Sequence, residues 1–136
     1  MNQSSIRAKL GTAPEACFVV LDPVKSKRMG GAKTLYIPSV EDVAKAIRAI
    51  PRGETRTIEQ LRSQLATWGH AETACPANTI KYWKWMANLS DELQPENKDY
   101  QIPWWRVLKN GKASRHMPGG IDNQLSILRN EGVLLG

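Results

Sequence analysis

The chain has 136 residues, 41% of them hydrophobic and 24% charged, the make-up of one ordinary globular domain. It is too apolar to stay unfolded along its whole length, and no run approaches the roughly 20 apolar residues that cross a bilayer. Nineteen basic against thirteen acidic residues leave a net charge of +6, which favours a polyanionic partner, nucleic acid before an anionic membrane.

The N-terminus lacks the charged start, apolar stretch and small-residue cleavage site of a secretory signal, so the cytoplasm is the expected compartment. The two cysteines, Cys17 and Cys75, and the two histidines, His70 and His116, do not fall at zinc-ligand spacings. No metal or cofactor is expected, and in a reducing compartment neither is a disulfide.

Residues 1–16 mix Ser, Gly, Pro and Ala without a period and read as a loose arm. Cys17 to Leu21 is a short apolar run closed by Asp22 and Pro23, either a strand or the anchor of a tail. Val24 to Lys33 carries Lys25, Lys27, Arg28 and Lys33 with a Gly-Gly pair, and no acid follows before Glu41. It reads as a flexible basic loop, suited to phosphates or simply solvated. Ser39 with Asp42 three residues on makes a capping box, and Val40, Val43, Ala44, Ile47 and Ile50 recur at helical spacing until Pro51 and Gly53.

Thr57 and Gln60 form a second capping box, with Ile58, Leu61 and Leu65 on one face of a short helix. Residues 67–74 read as a turn. A third helix opens near Cys75, with Pro76 at its first position, and runs to about Leu89. Ile80, Trp83 and Met86 point toward a core, Tyr82 and Leu89 flank them, and Asn78, Lys81, Lys84 and Trp85 fall on other faces. Two short helices joined by a turn, the second polar and basic on one side, make a helix-turn-helix pattern.

Residues 90–99 read as a polar loop, and Lys109-Asn110-Gly111-Lys112 as the bend of a small hairpin or wing. After the breaker Met117-Pro118-Gly119-Gly120, Asp122 caps a last helix. That helix turns Leu125, Leu128 and Ile121 inward and stops at Gly132.

Pro103-Trp104-Trp105-Arg106-Val107 stands out. On a two-residue period one indole faces the core and the other faces away, and a flat apolar wall beside a cation can stack on a base. At these residues the chain resembles the 6-O-alkylguanine DNA alkyltransferase family, more closely its alkyltransferase-like branch. The family motif is Pro-Cys-His-Arg-Val, whose Cys accepts the alkyl group. Other pieces agree in order. Ile50-Pro51-Arg52-Gly53-Glu54 is similar to the stretch after the first helix, and Thr57 to Leu61 to the start of the helix-turn-helix. Cys75-Pro76 to Met86 is similar to the recognition helix, Gly119-Gly120 to the Gly pair of the pocket loop, and Asn130-Glu131-Gly132 to the end of the final helix.

The resemblance covers roughly residues 38–136 and implies a mainly α, winged helix-turn-helix domain with a small β wing, preceded by an N-terminal extension over residues 1–37. It implies double-stranded DNA as partner, alkylated DNA included, with a repair protein as a further partner and the chain acting as a monomer. Asn78, Thr79, Ile80, Lys81 and Lys84 would face DNA from the recognition helix, and Lys109 and Asn110 would meet phosphates from the wing. Ile58, Pro103, Trp104, Trp105, Arg106, Gly119 and Gly120 would line the lesion pocket.

The departures bear on chemistry. Alkyl transfer needs a thiolate activated by the neighbouring His, but here those positions hold Trp104 and Trp105, so no catalytic residue is expected. The family's base-flipping Tyr aligns with Ile58, and its stack-filling Arg with Ile80, next to Lys81. Three functions follow. One is a non-enzymatic DNA-binding protein that holds alkylated guanine or another flipped base and flags it for repair. Another is a degenerate member serving as a general DNA-binding or protein-interaction module. The last is an enzyme acting through Cys75.

Overall fold

The computed structural model describes residues 13–93 and 102–135. The expected arm is therefore described only from Ala13 on, and most of the 90–99 loop lies outside the described residues. Among the described residues no helix is long and apolar enough to cross a membrane.

Strand β1 (Cys17–Val20) and strand β2 (Thr34–Ile37) form an antiparallel hairpin, with Phe18 opposite Tyr36. Between them lies not a loop but a short helix, α1 (Pro23–Arg28). Asp22 caps it by accepting the Lys25 N–H at 2.8 Å, and Pro23 sits at its first position, where a missing N–H costs nothing. Reading the basic residues as loop overlooked this Asp-Pro start.

Helix α2 (Val40–Arg48) begins at the expected capping box, in which Ser39 and Asp42 each accept the other's backbone N–H at 3.1 Å. Its buried stripe is Val40, Val43, Ala44, Ala46 and Ile47. After the two-residue strand β3 (Arg56–Thr57), helix α3 (Ile58–Trp68) starts at the second expected box, Thr57 with Gln60. Each such cap is worth about 1 kcal/mol.

His70 closes α3 in the left-handed region at φ 56°, with Ala71 N–H reaching back to Ala66 C=O at 3.0 Å. The segment expected as a turn thus contains the last residues of α3 and also strand β4 (Thr73–Ala74), which pairs in parallel with β2. Arg62 of α3 donates to Ala74 C=O at 2.9 Å and to Thr73 Oγ1 at 3.1 Å, which sets the angle of the turn.

Helix α4 (Pro76–Leu93) crosses both α2 and α3. Its core face is Thr79, Tyr82, Trp83, Met86 and Ala87, whereas Ile80 is only half-buried. The expected stripe through Ile80 is therefore rotated by about one residue toward Thr79. The Thr79 hydroxyl is satisfied inside the helix by Cys75 C=O at 2.8 Å, so burying it leaves no orphan donor.

A 3₁₀ turn (Trp104–Arg106) then leads into strand β5 (Val107–Leu108), which pairs in parallel with β3. Helix α5 (Gly120–Asn130) starts after Gly119 in the left-handed conformation, and Asp122 lies in its first turn rather than at its cap. Gln124 and Leu128 are its buried residues. Leu125 is half-buried and Ile121 exposed, against the expected inward face.

The core gathers α2, α3, α4 and the Trp104 turn, as a mainly α domain with a small β wing requires. Residues 34–37 belong to this packing, because β2 is hydrogen-bonded to β4 and Tyr36 OH donates to Asp42 Oδ2 at 2.6 Å. Residue 38 thus marks where the family resemblance begins, not a break in the structure.

The Tyr36 ring occupies the space where a side chain at position 69 would begin. Gly69→Ala is expected to cost about 1–3 kcal/mol in urea unfolding, since either the ring or the turn must move. Burial, then the Asp42 bond, push the Tyr36 phenol up to about 12. The neutral phenol is favoured by the fold, so stability is full below pH 10 and declines as pH rises from about 10 to 12. Tyr36→Phe should flatten that decline in a pH series of unfolding curves.

Candidate nucleic-acid interface

The solvent side of α4 presents Asn78, Lys81 and Lys84, all partly or fully exposed, while Ile80 is half-buried and packs against the core. Lys81 lies 5.1 Å above the Tyr82 ring and 5.3 Å from that of Trp85, which holds its ammonium close to the helix. Thr79 does not belong to this surface: it is fully buried, at 0% exposure, and its hydroxyl is engaged within α4.

The wing is a two-residue turn. Lys109 and Lys112 exchange backbone hydrogen bonds at 3.0 Å each way, with Asn110 at φ 54° and Gly111 at φ 74°. Positive φ at both central residues is what Asn-Gly supplies at least cost, and it matches the twist of the flanking chain. Asn110 at the tip is exposed and Lys109 half-exposed.

The sequence did not single out Arg115 and His116 as candidate DNA-facing residues. Both are exposed on the loop before α5. The charge of Lys84, above all, then loss of solvent, then the charges of Arg115 and Lys109 lower the pKa of the His116 imidazole from its ordinary value. The only hint in the sequence is the run from Tyr100 to Ile121, which holds four Arg or Lys residues and no acid.

The residues expected to form a lesion pocket divide into two groups. Ile58 and Trp104 are both 3% exposed and belong to the core. The Trp104 C=O accepts the buried Trp83 indole N–H at 3.0 Å. A side chain packed on all sides does not wall an open pocket, so these two positions are withdrawn from the surface. Pro103, Trp105, Arg106 and Gly120 are half-exposed and Gly119 is exposed. The two indoles meet edge to face, 5.6 Å between centroids. A side chain at Gly119 would strike Asn123, whose amide donates to Pro118 C=O at 2.8 Å, and with φ at 76° the position suits glycine twice over.

Arg106 faces the Trp105 ring, 5.7 Å from its centroid, and is otherwise committed to the fold. It makes a two-pronged pair with Glu131 at 2.9 and 2.7 Å, and its third bond goes to Ile50 C=O at 2.9 Å. The Trp105 indole N–H points toward Glu131 without completing a hydrogen bond. Cys75, at the start of α4, is half-buried, and its C=O accepts from Thr79. The exposed groups are cations, an amide and an imidazole, which is the equipment for holding phosphates.

The family model described as 6-O-methylguanine DNA methyltransferase, DNA binding domain, matches residues 38–133, and the chain belongs to that family. Neither a curated protein nor a solved structure matches the chain. The match takes in the helix-turn-helix, the wing, the Trp104 turn and α5, and it begins just after β2.

The Arg106 bond, chiefly, holds the Glu131 carboxyl below its ordinary range. Its contribution to stability is therefore present above the unfolded carboxyl pKa and is lost as pH falls through the lower, folded one. Glu131→Gln is expected to cost about 3 kcal/mol near neutral pH, because it leaves the Arg106 charge largely buried without its partner. The same change should flatten the acid limb of a pH–stability curve.

Proposed function

We propose that this protein is a non-enzymatic binder of duplex DNA that grips the phosphate backbone and does not house a flipped base. The cations would be Lys84 of the recognition helix, Lys109 of the wing and Arg115 of the loop, with Asn78, Ile80 and Lys81 toward the groove and Asn110 at the wing tip. The observation that carries this reading is Trp104. The family's acceptor position is filled by a core indole, 3% exposed, with its carbonyl bonded to Trp83. Indole offers no thiolate to accept an alkyl group. Ile58, at the position of the family's base-flipping Tyr, is equally enclosed.

A second function is favoured by one observation. Trp105 is half-exposed beside Arg106, and an indole face next to a cation can stack on a displaced base. On that basis the protein would mark an alkylated guanine for a repair partner.

Binding to two duplexes that differ by a single 6-O-methylguanine separates the two. Both duplexes should bind equally, and log affinity should fall against log salt by about 0.9 per neutralised phosphate. Lys84→Ala and Lys109→Ala should each reduce the slope by about 1. A preference for the methylated duplex that Trp105→Ala abolishes would instead establish the marking function. Titration of free thiols after incubation with the methylated duplex should show none consumed; stoichiometric loss of one would make Cys75 an acceptor and the protein an enzyme.

A further inference from the structure

Strand β1 is the outermost of its sheet, whose order runs from β1 through β2 to β4, so one edge of β1 has no neighbouring strand among the described residues. Leu21 N–H donates to Lys33 C=O at 2.9 Å, which makes these two a hydrogen-bonded pair. Such pairs alternate along an antiparallel ladder. The N–H and C=O of Cys17 and Val19 therefore turn to β2, and those of Phe18 and Val20 turn outward. The Phe18 and Val20 side chains share one face and are 51% and 74% exposed, so nothing among the described residues covers them. Edges that stay single are guarded by a Lys, a Pro or a bulge. From Ala16 to Leu21 the sequence has no charge and no Pro, and the register of β1 on β2 is unbroken.

Past Val20 the surface turns basic. Helix α1 begins three residues on, at most about 11 Å along an extended chain. Its Lys25, Lys27 and Arg28 are exposed, and none is in an ion pair with a described carboxylate. Asp22 is the only acid between Glu15 and Glu41, and it is taken up in capping the helix. Pro23 and Val24, the latter 64% exposed, line an open hollow together with Lys27 and Arg28. We propose that the outer edge of β1 and helix α1 together bind an extended peptide of a partner protein, one with acidic residues followed by alternating apolar ones. An antiparallel strand laid on β1 pairs its backbone with Phe18 and Val20 and sets apolar side chains beside theirs. The residues before that stretch then reach α1, where carboxylates meet Lys25, Lys27 and Arg28. Two other occupants fit less well. A four-residue strand buries far less than the roughly 1,200 Å² of a stable dimer, and a second copy brings its own net charge of +6. Phosphates accept hydrogen bonds but donate none, so nucleic acid leaves the outward C=O groups and the apolar face unused. This site precedes the matched residues 38–133 and goes beyond the DNA-binding function.

The test uses the full chain and a fluorescein-labelled synthetic peptide of four acids followed by alternating Val and Thr, read by fluorescence anisotropy. The peptide should bind saturably, and a counterpart with Lys in place of the acids at least about tenfold more weakly. Val20→Pro removes an outward N–H and no bond to β2, so the sheet survives while its edge is blocked. That change should weaken the acidic peptide at least about tenfold and leave the unfolding midpoint and duplex affinity as they are. Lys27→Glu with Arg28→Glu should weaken it by a similar factor and favour the Lys peptide instead. On addition of peptide, the amides of Phe18 and Val20 should shift in NMR spectra and gain protection from hydrogen exchange. No saturable binding, or binding that Val20→Pro leaves intact, overturns this inference. Self-association in sedimentation that Val20→Pro abolishes would overturn it in favour of a second copy. Loss of duplex affinity in the charge-reversed variant, with no peptide bound, would overturn it in favour of DNA at α1. The peptide is measured without DNA, so failure of the duplex to bind sinks the DNA-binding function and leaves this inference standing.

Discussion

Removing a guanidinium from water is tolerable only when its charge and its N–H groups find partners, and Arg106 finds both. Glu131 takes two prongs, Ile50 C=O takes a third, and the two side chains are 14% and 5% exposed. Three pieces of chain far apart in sequence are thereby fixed to one another: the end of α2, the 3₁₀ turn after Pro103, and the end of α5. Arg52 reinforces the joint from outside by donating to Asn130 C=O at 3.2 Å. From the other side, the buried amide of Gln124 holds Trp105 C=O, Val107 C=O and Ser114 N–H. With every polar group of that amide used, its burial costs little and the loop geometry is rigidly specified.

This clamp determines what the Trp104 turn can do. A 3₁₀ turn held at both ends points one indole inward and leaves the next partly outside. The inward one becomes a load of apolar surface in the core beside α4, and the Trp83 N–H closes on its carbonyl. Trp104 is thus committed to packing. The surface cations are independent of it. Lys84, Lys109 and Arg115 sit on different elements, none of them in an ion pair with a described carboxylate, and their charge remains available to a polyanion.

The N-terminal hairpin is built into the domain through the helix-turn-helix itself. β2 pairs with β4, Cys75 N–H donates to Tyr36 C=O at 2.9 Å, and the Glu72 carboxylate and N–H engage Lys33 N–H and Thr34 Oγ1. The Tyr36 ring packs on Gly69, which only a residue without Cβ permits. Lys25, Lys27 and Arg28 belong to the helix α1 between the two strands of this hairpin, not to the flexible loop expected of them.

Local chemistry was readable from the sequence alone. Ser39 with Asp42 and Thr57 with Gln60 start their helices where expected, Asn110-Gly111 makes the wing turn, and Gly132 at φ 87° ends α5, because each of these acts within four residues of itself. The family, and with it the helix-turn-helix, was legible in the order of short motifs. Side-chain placement across elements was not. Nothing local distinguishes Thr79 from Ile80 as the core residue of α4; the packing of α2, α3 and the Trp104 turn decides it. A two-residue strand such as β4 exists only because β2 lies beside it. Gln124 is buried because three backbone groups from other segments meet its amide.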